Sequence, residues 1–404
     1  MSHHTTLPIA EARARWFSAQ RLPNVVATPV EAVREAGYVR TLGGVDVYLA
    51  LRARVKGLTR AQVDEAVANR ELCVVPSVRG CIYLVDRDEV PWSLRIADLL
   101  SHRRRQREYE KTGIGEAELE KLGGRILDTL SAGPASTNEL RRALKDHVRS
   151  LGEMGKKVGI SSTLPPALRE LEFKGRIART LEGGRLDTEK YVWEAGPEAL
   201  PDKGPEDPAE VHAHLAENFC RQTQVASVDR FAGWAGIGKR DAKAAVSRLE
   251  GEPVSVEGLE EGYFSLHGGA PAPSTGISFL PFEDNLIQHQ PGVAPLVDLR
   301  HHHLPVPVWG RGKDQTLGTA NHMAYRSIAR DGEVIGVWEF DPDAEAVVWA
   351  TFHDQPGDQR ELIQEEATAV GRFLTEDVGR AISFSIDTED DLRRRCAGIK
   401  ELVT

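Results

Sequence analysis

Several features are scarce or missing in this 404-residue sequence, and each absence excludes a class of protein. The four cysteines form no C-x-x-C pair, so neither a zinc knuckle nor a disulfide framework is expected. No apolar run approaches the roughly 20 residues that span a bilayer, and the N-terminus lacks a signal peptide's apolar segment. We therefore expect a cytoplasmic protein with no membrane partner, no metal and no cofactor. The cysteines, interpreted as core thiols, are Cys73, Cys81, Cys220 and Cys396.

Positive charge is also in deficit, because the formal net charge is −10. This argues against indiscriminate coating of nucleic acid, although binding depends on where the charge lies. From Ser101 to Lys157 there are thirteen Lys and Arg residues and nine Asp and Glu residues, and this stretch begins with "SHRRRQR". Acidity collects instead in Gly196 to Glu210 and in Asp387 to Asp391. The arginine run is either a solvated helix face or a contact surface for an anionic partner.

The length indicates several modules, since a single core usually stops growing at about 250–300 residues. Two segments rich in proline and glycine, Gly196 to Glu210 and His267 to Gly276, are the clearest boundaries. An α+β fold is expected, with three modules of helices and a hairpin followed by a small β-rich, barrel-like domain and a covering helix. The predicted modules are 1–112, 113–200, 207–268 and 277–404.

The module at 113–200 shows the repeated pattern best. Its second helix is predicted to begin at Ser136 or Thr137 as N-cap, and its third helix at Ser161 or Ser162. Two strands then alternate around the pair Gly183-Gly184. Three helices followed by a hairpin is the order of a winged helix, whose third helix can enter a major groove and whose hairpin forms the wing.

The module at 207–268 repeats this order around "VDRFAGWAGIGKRDAKAAVSRLEGE", Val228 to Glu252. Its third helix carries Lys239, Arg240 and Lys243 near the N-terminal end, where they could meet a phosphate backbone. Winged helices also serve as protein-interaction modules, so this pattern leaves two functions open. In the last region, Asp331-Gly332 predicts a tight hairpin turn.

Six stretches, in order along the chain, resemble the landmarks of the tandem winged-helix DNA glycosylases of the AlkZ and YcaQ type. The resemblance covers essentially the whole chain. It implies excision of alkylated bases and unhooking of interstrand crosslinks by a C-shaped clamp, double-stranded DNA as partner, a place near the nucleoid, and a monomer. The stretches are "AQRL" at 19–22, "YLALRARVKGLT" at 48–59, "RGCIYLV" at 79–85, "VDRFAGWAGI" at 228–237, "FLPFEDNLI" at 279–287 and "DGEVIGVWEF" at 331–340.

The resemblance also implies a Gln-x-Gln or Gln-x-Asp pair that positions a water and stabilises the sugar cation. Without gaps this pair falls on Arg40 and Leu42, and neither side chain can do that work. A cation at position 40 suits a phosphate better. Asp46 is the nearest carboxylate and is either a relocated base or an acid on a helix surface. Tyr83 stands where the family's histidine is expected.

Three other matches to catalytic or metal motifs are interpreted as structural. "QHQ" at 288–290 has the letters of the family motif but lies far along the chain from the expected position. "HHH" at 301–303 places adjacent side chains in opposite directions and is read as a loop of solvated or hydrogen-bonded histidines. Gln20 belongs to the first amphipathic helix.

Three functions remain open at this point: a DNA-binding glycosylase relative that excises bases, a non-catalytic DNA-binding accessory protein, and a protein-interaction scaffold. Steep weakening of binding by salt separates the first two from the third. The candidate DNA-binding residues are Arg40, Arg103, Arg104, Arg105, Arg107, Lys156, Lys157, Lys239, Arg240 and Lys243.

Overall fold

The computed structural model describes residues 5–41, 43–188, 190–196, 206–259, 262–266, 274–309, 315–384 and 387–402. The chain divides into two compact units. Unit 1 comprises Met1–Ala66 and His212–Thr404, and unit 2 comprises Val67–Val211. Helices and sheets are mixed in this fold, as expected. Among the described residues, no helix has both the length and the apolar character needed to cross a membrane.

Helices and strands alternate along the whole described chain. The helices are α1 (Ile9–Ala19), α2 (Pro29–Ala36), α3 (Asp46–Arg52), α4 (Arg60–Ala68), α5 (Val90–Thr112), α6 (Glu116–Leu130), α7 (Thr137–Ala143), α8 (Gly152–Lys157), α9 (Leu164–Phe173), α10 (Pro208–Thr223), α11 (Val228–Ala235), α12 (Lys239–Val246), α13 (Asn285–Gln288), α14 (Gly357–Arg372) and α15 (Glu389–Glu401). The strands are β1 (Thr5–Leu7), β2 (Val39–Arg40), β3 (Leu72–Pro76), β4 (Ile82–Asp86), β5 (Ala135–Ser136), β6 (Ile177–Leu181), β7 (Tyr191–Ala195), β8 (Val225–Ser227), β9 (Gly251–Val256), β10 (Tyr263–Leu266), β11 (Ile277–Leu280), β12 (Pro305–Val306), β13 (Gln315–Thr316), β14 (Arg326–Arg330), β15 (Glu333–Asp341) and β16 (Ala346–Thr351).

Unit 2 contains α6, α7 and α9 beside a three-stranded antiparallel sheet in the order β5-β7-β6. Ser136 caps α7 as predicted: its hydroxyl accepts from the Glu139 amide and the Glu139 carboxylate accepts from the Ser136 amide. The predicted cap of α9 at Ser161 or Ser162 is wrong. Thr163 precedes α9 without a side-chain cap, because Pro165 and its neighbour enter the first turn and offer no N–H to cap.

Unit 1 holds a second set of the same kind. Its α10, α11 and α12 accompany a four-stranded sheet in the order β1-β9-β10-β8. Ser227 caps α11 through the Arg230 amide at 3.2 Å, and Gly236 ends it with a φ of 71°. The sequence did not predict β1, which comes from the N-terminal end of the chain and pairs in parallel with β9.

The last part of unit 1 is a four-stranded antiparallel sheet in the order β11-β14-β15-β16. The predicted turn at Asp331-Gly332 is present, with φ angles of 51° and 89°. The expected barrel-like form is not found, since the described strands make an open sheet that does not close. The helices α14 and α15 pack on this sheet, and so helices rather than further strands cover it.

A buried network of charges ties this sheet to α3 and α15. The guanidinium of Arg326, with no solvent exposure, donates to Glu339 at 2.7 Å and to Asp46 at 2.9 Å. Glu339 is equally buried and also accepts from Arg395, which pairs with Asp387. Because each buried charge meets a countercharge, the network avoids most of the penalty of leaving ions out of water.

Breaking this network should destabilise unit 1 strongly. Glu339→Gln removes the carboxylate that Arg326 and Arg395 share, and we expect a loss of about 3–5 kcal/mol in the free energy of unfolding. Urea denaturation followed by circular dichroism measures this loss. Asp343→Asn is the matched control. Asp343 pairs with Arg393, which lies on α15 like Arg395, but both members of this pair are exposed. The substitution should therefore change the free energy of unfolding little. Equal effects of the two substitutions would contradict the assignment.

Candidate functional site

The family motif position lies at the end of β2, where Arg40 forms an ion pair with Glu283. The two side chains keep 23% and 27% of their surface exposed. Glu283 sits in the loop that follows β11, with a left-handed φ of 54°, a conformation few residues other than glycine adopt without cost. The position equivalent to the second motif residue, Leu42, lies outside the described residues.

A second ion pair fixes the loop that carries Glu283. Asp284 accepts two hydrogen bonds from the guanidinium of Arg54, at 2.8 and 2.9 Å, and both side chains are almost fully buried. Arg54 also donates to Gln20 at 3.0 Å, and Gln20 donates to the Gln222 carbonyl at 2.8 Å. Gln20 therefore has a structural role, as interpreted, although it follows the last residue of α1 and does not lie within that helix. Bidentate pairs of this kind restrict geometry as well as adding energy.

Asp46 is not on a helix surface, so that interpretation is wrong. It is the first residue of α3, and its two oxygens accept from the Arg326 guanidinium and from the Phe282 amide at 3.1 Å. Burial raises the pKa of Asp46 to about 6, although Arg326 acts in the opposite direction. Both carboxylate oxygens are therefore engaged by neighbouring groups of the protein.

The start of α3 is buried because the loop before it packs tightly on the segment at 382–383. The Val45 amide donates to the Ile382 carbonyl at 2.9 Å. A Cβ atom added at Gly44 would lie 2.1 Å from the Ser383 carbonyl oxygen, so only glycine fits there. This contact could not be predicted from the sequence, because the two segments are far apart along the chain.

Arg40, Asp46 and Glu283 line one narrow cleft within unit 1. The Arg40 guanidinium is the positive group of this cleft that reaches solvent, and Glu283 offsets its charge. The arrangement can hold a phosphate if the ion pair opens, and the amide side chain in its lining, Asn285, donates to the Ala36 carbonyl at 3.0 Å. Sequence reasoning missed Glu283, whose partner lies 243 positions away. The lining residues are Val39, Arg40, Asp46, Ala50, Arg54, Pro281, Phe282, Glu283, Asp284 and Asn285.

The motif-like "QHQ" segment is structural, as interpreted. His289 is buried edge-on against Phe219 and Trp234, with ring centroids 5.3 and 5.4 Å away. Burial lowers the pKa of His289 to about 3. Gln290 accepts from Arg230 inside the protein. This environment keeps the imidazole neutral and away from DNA.

The histidines of the "HHH" segment contact other groups of the protein. The ring of His302 lies 3.1 Å from the Ala294 carbonyl, and His301 stacks on His353 with centroids 5.1 Å apart. Within the part of the chain that the structure describes, no group of three or more His, Cys, Asp or Glu side chains could hold a metal ion. Tyr83, which stands where the family's histidine is expected, is buried in β4 opposite Val75.

The arginine run of α5 in unit 2 divides into an outer and an inner set. Arg103, Arg104 and Arg107 are exposed, and no described residue pairs with Arg103 or Arg107. Arg105 is 4% exposed, pairs with Asp98 and Glu170, and lies over the Phe173 ring at 4.8 Å. Its guanidinium is thus enclosed by partners within unit 2, and Arg105 is a poor candidate for the predicted contact with DNA.

The third helix of unit 2, α9, is partly covered by α5. Arg169 pairs with Glu108 at 3.1 Å, and Tyr109 donates to Glu170 at 2.7 Å. These contacts occupy the charged face of the helix expected to enter a major groove. Arg169 and Glu170 of α9 are therefore paired within unit 2.

The remaining predicted cations lie at the surface. Lys156 pairs with Glu153 at 2.6 Å and Lys239 with Asp229 at 2.7 Å, both between highly exposed side chains. Such pairs contribute little and exchange readily for another anion. Lys157, Arg240 and Lys243 are exposed as well.

A protein-family model described as DNA glycosylase AlkZ-like matches residues 43–373, which is most of the chain. This chain belongs to the AlkZ-like DNA glycosylase family. Among solved structures, the DNA glycosylase AlkZ of Streptomyces sahachiroi shares its fold, with a TM-score of 0.67 and 16% identity over 93% of this chain and 98% of that chain. No curated protein matches the sequence significantly.

Membership in the AlkZ-like family confirms the resemblance found in the sequence. The family match begins at residue 43, just after the motif position. Arg40 and Leu42 thus lie outside the matched residues.

The burial of His289 predicts a pH dependence of stability. The folded-state pKa of about 3 lies below the value near 6.5 in an unfolded chain. Unfolding therefore takes up a proton as the pH falls below about 6.5, and each pH unit below that value costs about 1.4 kcal/mol of stability. Urea denaturation at pH 7 and pH 5 measures this loss.

The matched variant for this measurement is His289→Gln, which removes the titrating ring. It should lower stability at pH 7 through lost packing, yet show a smaller decline between pH 7 and pH 5. An unchanged pH dependence would show that His289 is not the group responsible.

Proposed function

We propose that this AlkZ-like protein binds double-stranded DNA distorted by bulky N-alkyl adducts or crosslinks, and that it does not excise bases from the Arg40 position. The observation that carries this proposal is the ion pair of Arg40 with Glu283 in the cleft where the family motif falls. The fold shared with a DNA glycosylase supports DNA as the partner.

The chemistry of excision explains why this ion pair matters. An N7-alkylated base is already cationic and leaves readily, so an enzyme mainly places a water and stabilises positive charge on the sugar. Arg40 brings a permanent positive charge to that place and disfavours both the cationic base and the sugar cation. Glu283 is held by Arg40, and Asp46 by Arg326. Neither carboxylate is available as a general base.

The chain order in both units supports winged-helix modules. In unit 2 the order is α6, β5, α7, α9, β6 and β7, with the short helix α8 inserted between α7 and α9, and the first strand pairs with the last. In unit 1, α10, β8, α11, α12, β9 and β10 follow the same order, again with the first strand paired to the last. This is the order of a winged helix. The limits of the four predicted modules and their clamp-like arrangement stay predictions.

The exposed cations are proposed to contact the phosphate backbone and thereby orient the duplex without reading its sequence. The groups are Arg103, Arg104 and Arg107 on α5, Lys156 and Lys157 on α8, and Lys239, Arg240 and Lys243 on α12. Because the net charge is −10, DNA binding must depend on these local groups. A protein-interaction scaffold remains the alternative function, and it requires no such dependence on salt.

Single-turnover incubation with a duplex that carries one N7-methylguanine tests the loss of excision. After cleavage of abasic sites, a denaturing gel should show no strand breaks, while a native gel at low salt should show the duplex shifted. The matched variant R40Q/L42Q restores the Gln-x-Gln pair and tests whether these two side chains alone prevent base excision. Strand breaks by the unaltered protein that disappear in Glu283→Gln would overturn the proposal.

Removing Arg103 and Arg107 together tests the DNA contact. If both side chains bind phosphates, R103A/R107A should weaken binding of every duplex and lower the slope of log affinity against log salt by about 2. Fluorescence anisotropy between 50 and 200 mM salt, roughly the range over which such contacts respond, gives this slope.

The control for this pair is R393A/R394A, which removes the same charge from α15. There Arg393 is already paired with Asp343, and Arg394 with Asp391. The control should leave the salt slope nearly unchanged. An equal fall of the slope in both double variants would mean that net charge, and not the α5 surface, controls binding.

A further inference from the structure

Unit 2 contains a groove that the proposed phosphate contacts do not explain. It lies between the β3–β4 hairpin, α5, α9 and β7, and its volume is about 270 Å³. We call it the hairpin groove. This volume lies just below the roughly 300–1,000 Å³ of pockets that hold drug-sized ligands. The hairpin groove therefore fits one flat ring system and not a large ligand.

The walls of the hairpin groove are apolar and firmly positioned. Trp193 donates from its indole nitrogen to Thr137 at 2.8 Å, and Arg179 lies over its ring at 4.9 Å. Phe173 stands in the wall beside it, held from one side by Arg105. Pro165, which is exposed, lines the groove at the start of α9. Aromatic and apolar walls of this kind accept a nucleobase by stacking and packing.

The rim of the hairpin groove is positive. The Arg104 side chain is 59% exposed and reaches only a loose contact of 3.6 Å with Glu108. Glu172 lines the groove too, but both of its oxygens accept from Arg179, at 2.6 and 2.9 Å. The Nε atom of Arg169 is buried and has no hydrogen-bond partner among the described residues. A ligand that pairs a flat apolar ring with an anion satisfies these groups.

The hairpin tip brings its backbone close to this rim. Arg79 and Gly80 both have left-handed φ angles, 57° and 72°. A Cβ atom at Gly80 would lie 3.2 Å from the end of the Arg104 side chain, so glycine leaves space beside this guanidinium. Arg79 at the tip is exposed and adds a second positive charge. The left-handed φ is unfavourable for Arg79, which has a side chain, whereas Gly80 adopts it freely.

We propose that the hairpin groove holds one unpaired nucleotide of a DNA strand, with the base against Phe173 and Trp193 and its phosphate on Arg104. This inference rests on the proposed DNA binding and adds a second site, separate from the Arg40 cleft. A duplex distorted by an adduct or crosslink offers such a nucleotide at lower cost, because its base is already partly unstacked. A free nucleotide carries the same chemistry, and the test distinguishes the two sources.

The test compares two duplexes, identical except that one carries a single-nucleotide bulge of 2-aminopurine. Fluorescence anisotropy should show that the full chain binds the bulged duplex at least about fivefold more tightly, the smallest effect expected of one stacked base. Arg104→Gln should abolish this preference. Arg107→Gln, three residues away on the same helix, is the matched control and should weaken both duplexes equally.

A second variant fills the hairpin groove without changing its charge. Pro165→Phe places a ring in the groove from an exposed position, and thermal denaturation checks that the variant folds. It should remove the preference for the bulge and leave binding of the paired duplex intact. A preference that survives in Pro165→Phe would overturn the inference.

The remaining outcomes separate this inference from the proposed function. If both duplexes bind equally well to the unaltered protein, the nucleotide site is wrong while DNA binding stands. If neither duplex binds, both proposals fail. Deoxyadenosine monophosphate distinguishes the two sources of the nucleotide. If it binds without reducing the preference for the bulged duplex, or binds when the protein has no such preference, the groove is a site for a free nucleotide. Either result would overturn the inference that the groove holds part of a DNA strand.

Discussion

The buried guanidinium of Arg326 is the constraint on which unit 1 depends. A cation without solvent exposure needs countercharges, and Arg326 obtains them from Asp46 on α3 and Glu339 on β15. The Ser383 hydroxyl and the Ala381 carbonyl complete its hydrogen bonds. One side chain thus fixes the first turn of α3 against the sheet and, through it, the short strand that ends in Arg40.

The same logic of paired charges shapes the cleft at the motif position. Arg54 and Asp284 hold the loop after β11 in place, and the next side chain in that loop, Glu283, meets Arg40. Arg40, at the motif position, is therefore one of two cations that are each paired with a carboxylate of this loop. Changing Arg40 alone leaves Glu283 without its partner, so restoring a neutral pair of amides requires a compensating change in the loop.

Local features were predictable from the sequence, and features that depend on distant partners were not. The Ser136 cap and the Asp331-Gly332 turn need only neighbouring residues, and both are present. The burial of Arg105 depends on Glu170, 65 positions away, and that of Asp46 on Arg326, 280 positions away. The open sheet was not predicted for a related reason, because strand patterns do not reveal whether the first and last strands of a sheet pair. Family membership was recognisable because the family's landmarks are short segments that occur in a fixed order along the sequence.

The division of the chain has a consequence for how the protein is made. Unit 2 is continuous, so its residues can fold as soon as they leave the ribosome, whereas Met1–Ala66 needs partners from His212–Thr404. At about 5–20 residues per second, about 12–46 s pass between the synthesis of Arg54 and that of Asp284. During that interval β1, α1 and α3 lack the strands of unit 1 that they contact in the folded protein. The N-terminal segment is therefore the part of the nascent chain most in need of protection from aggregation.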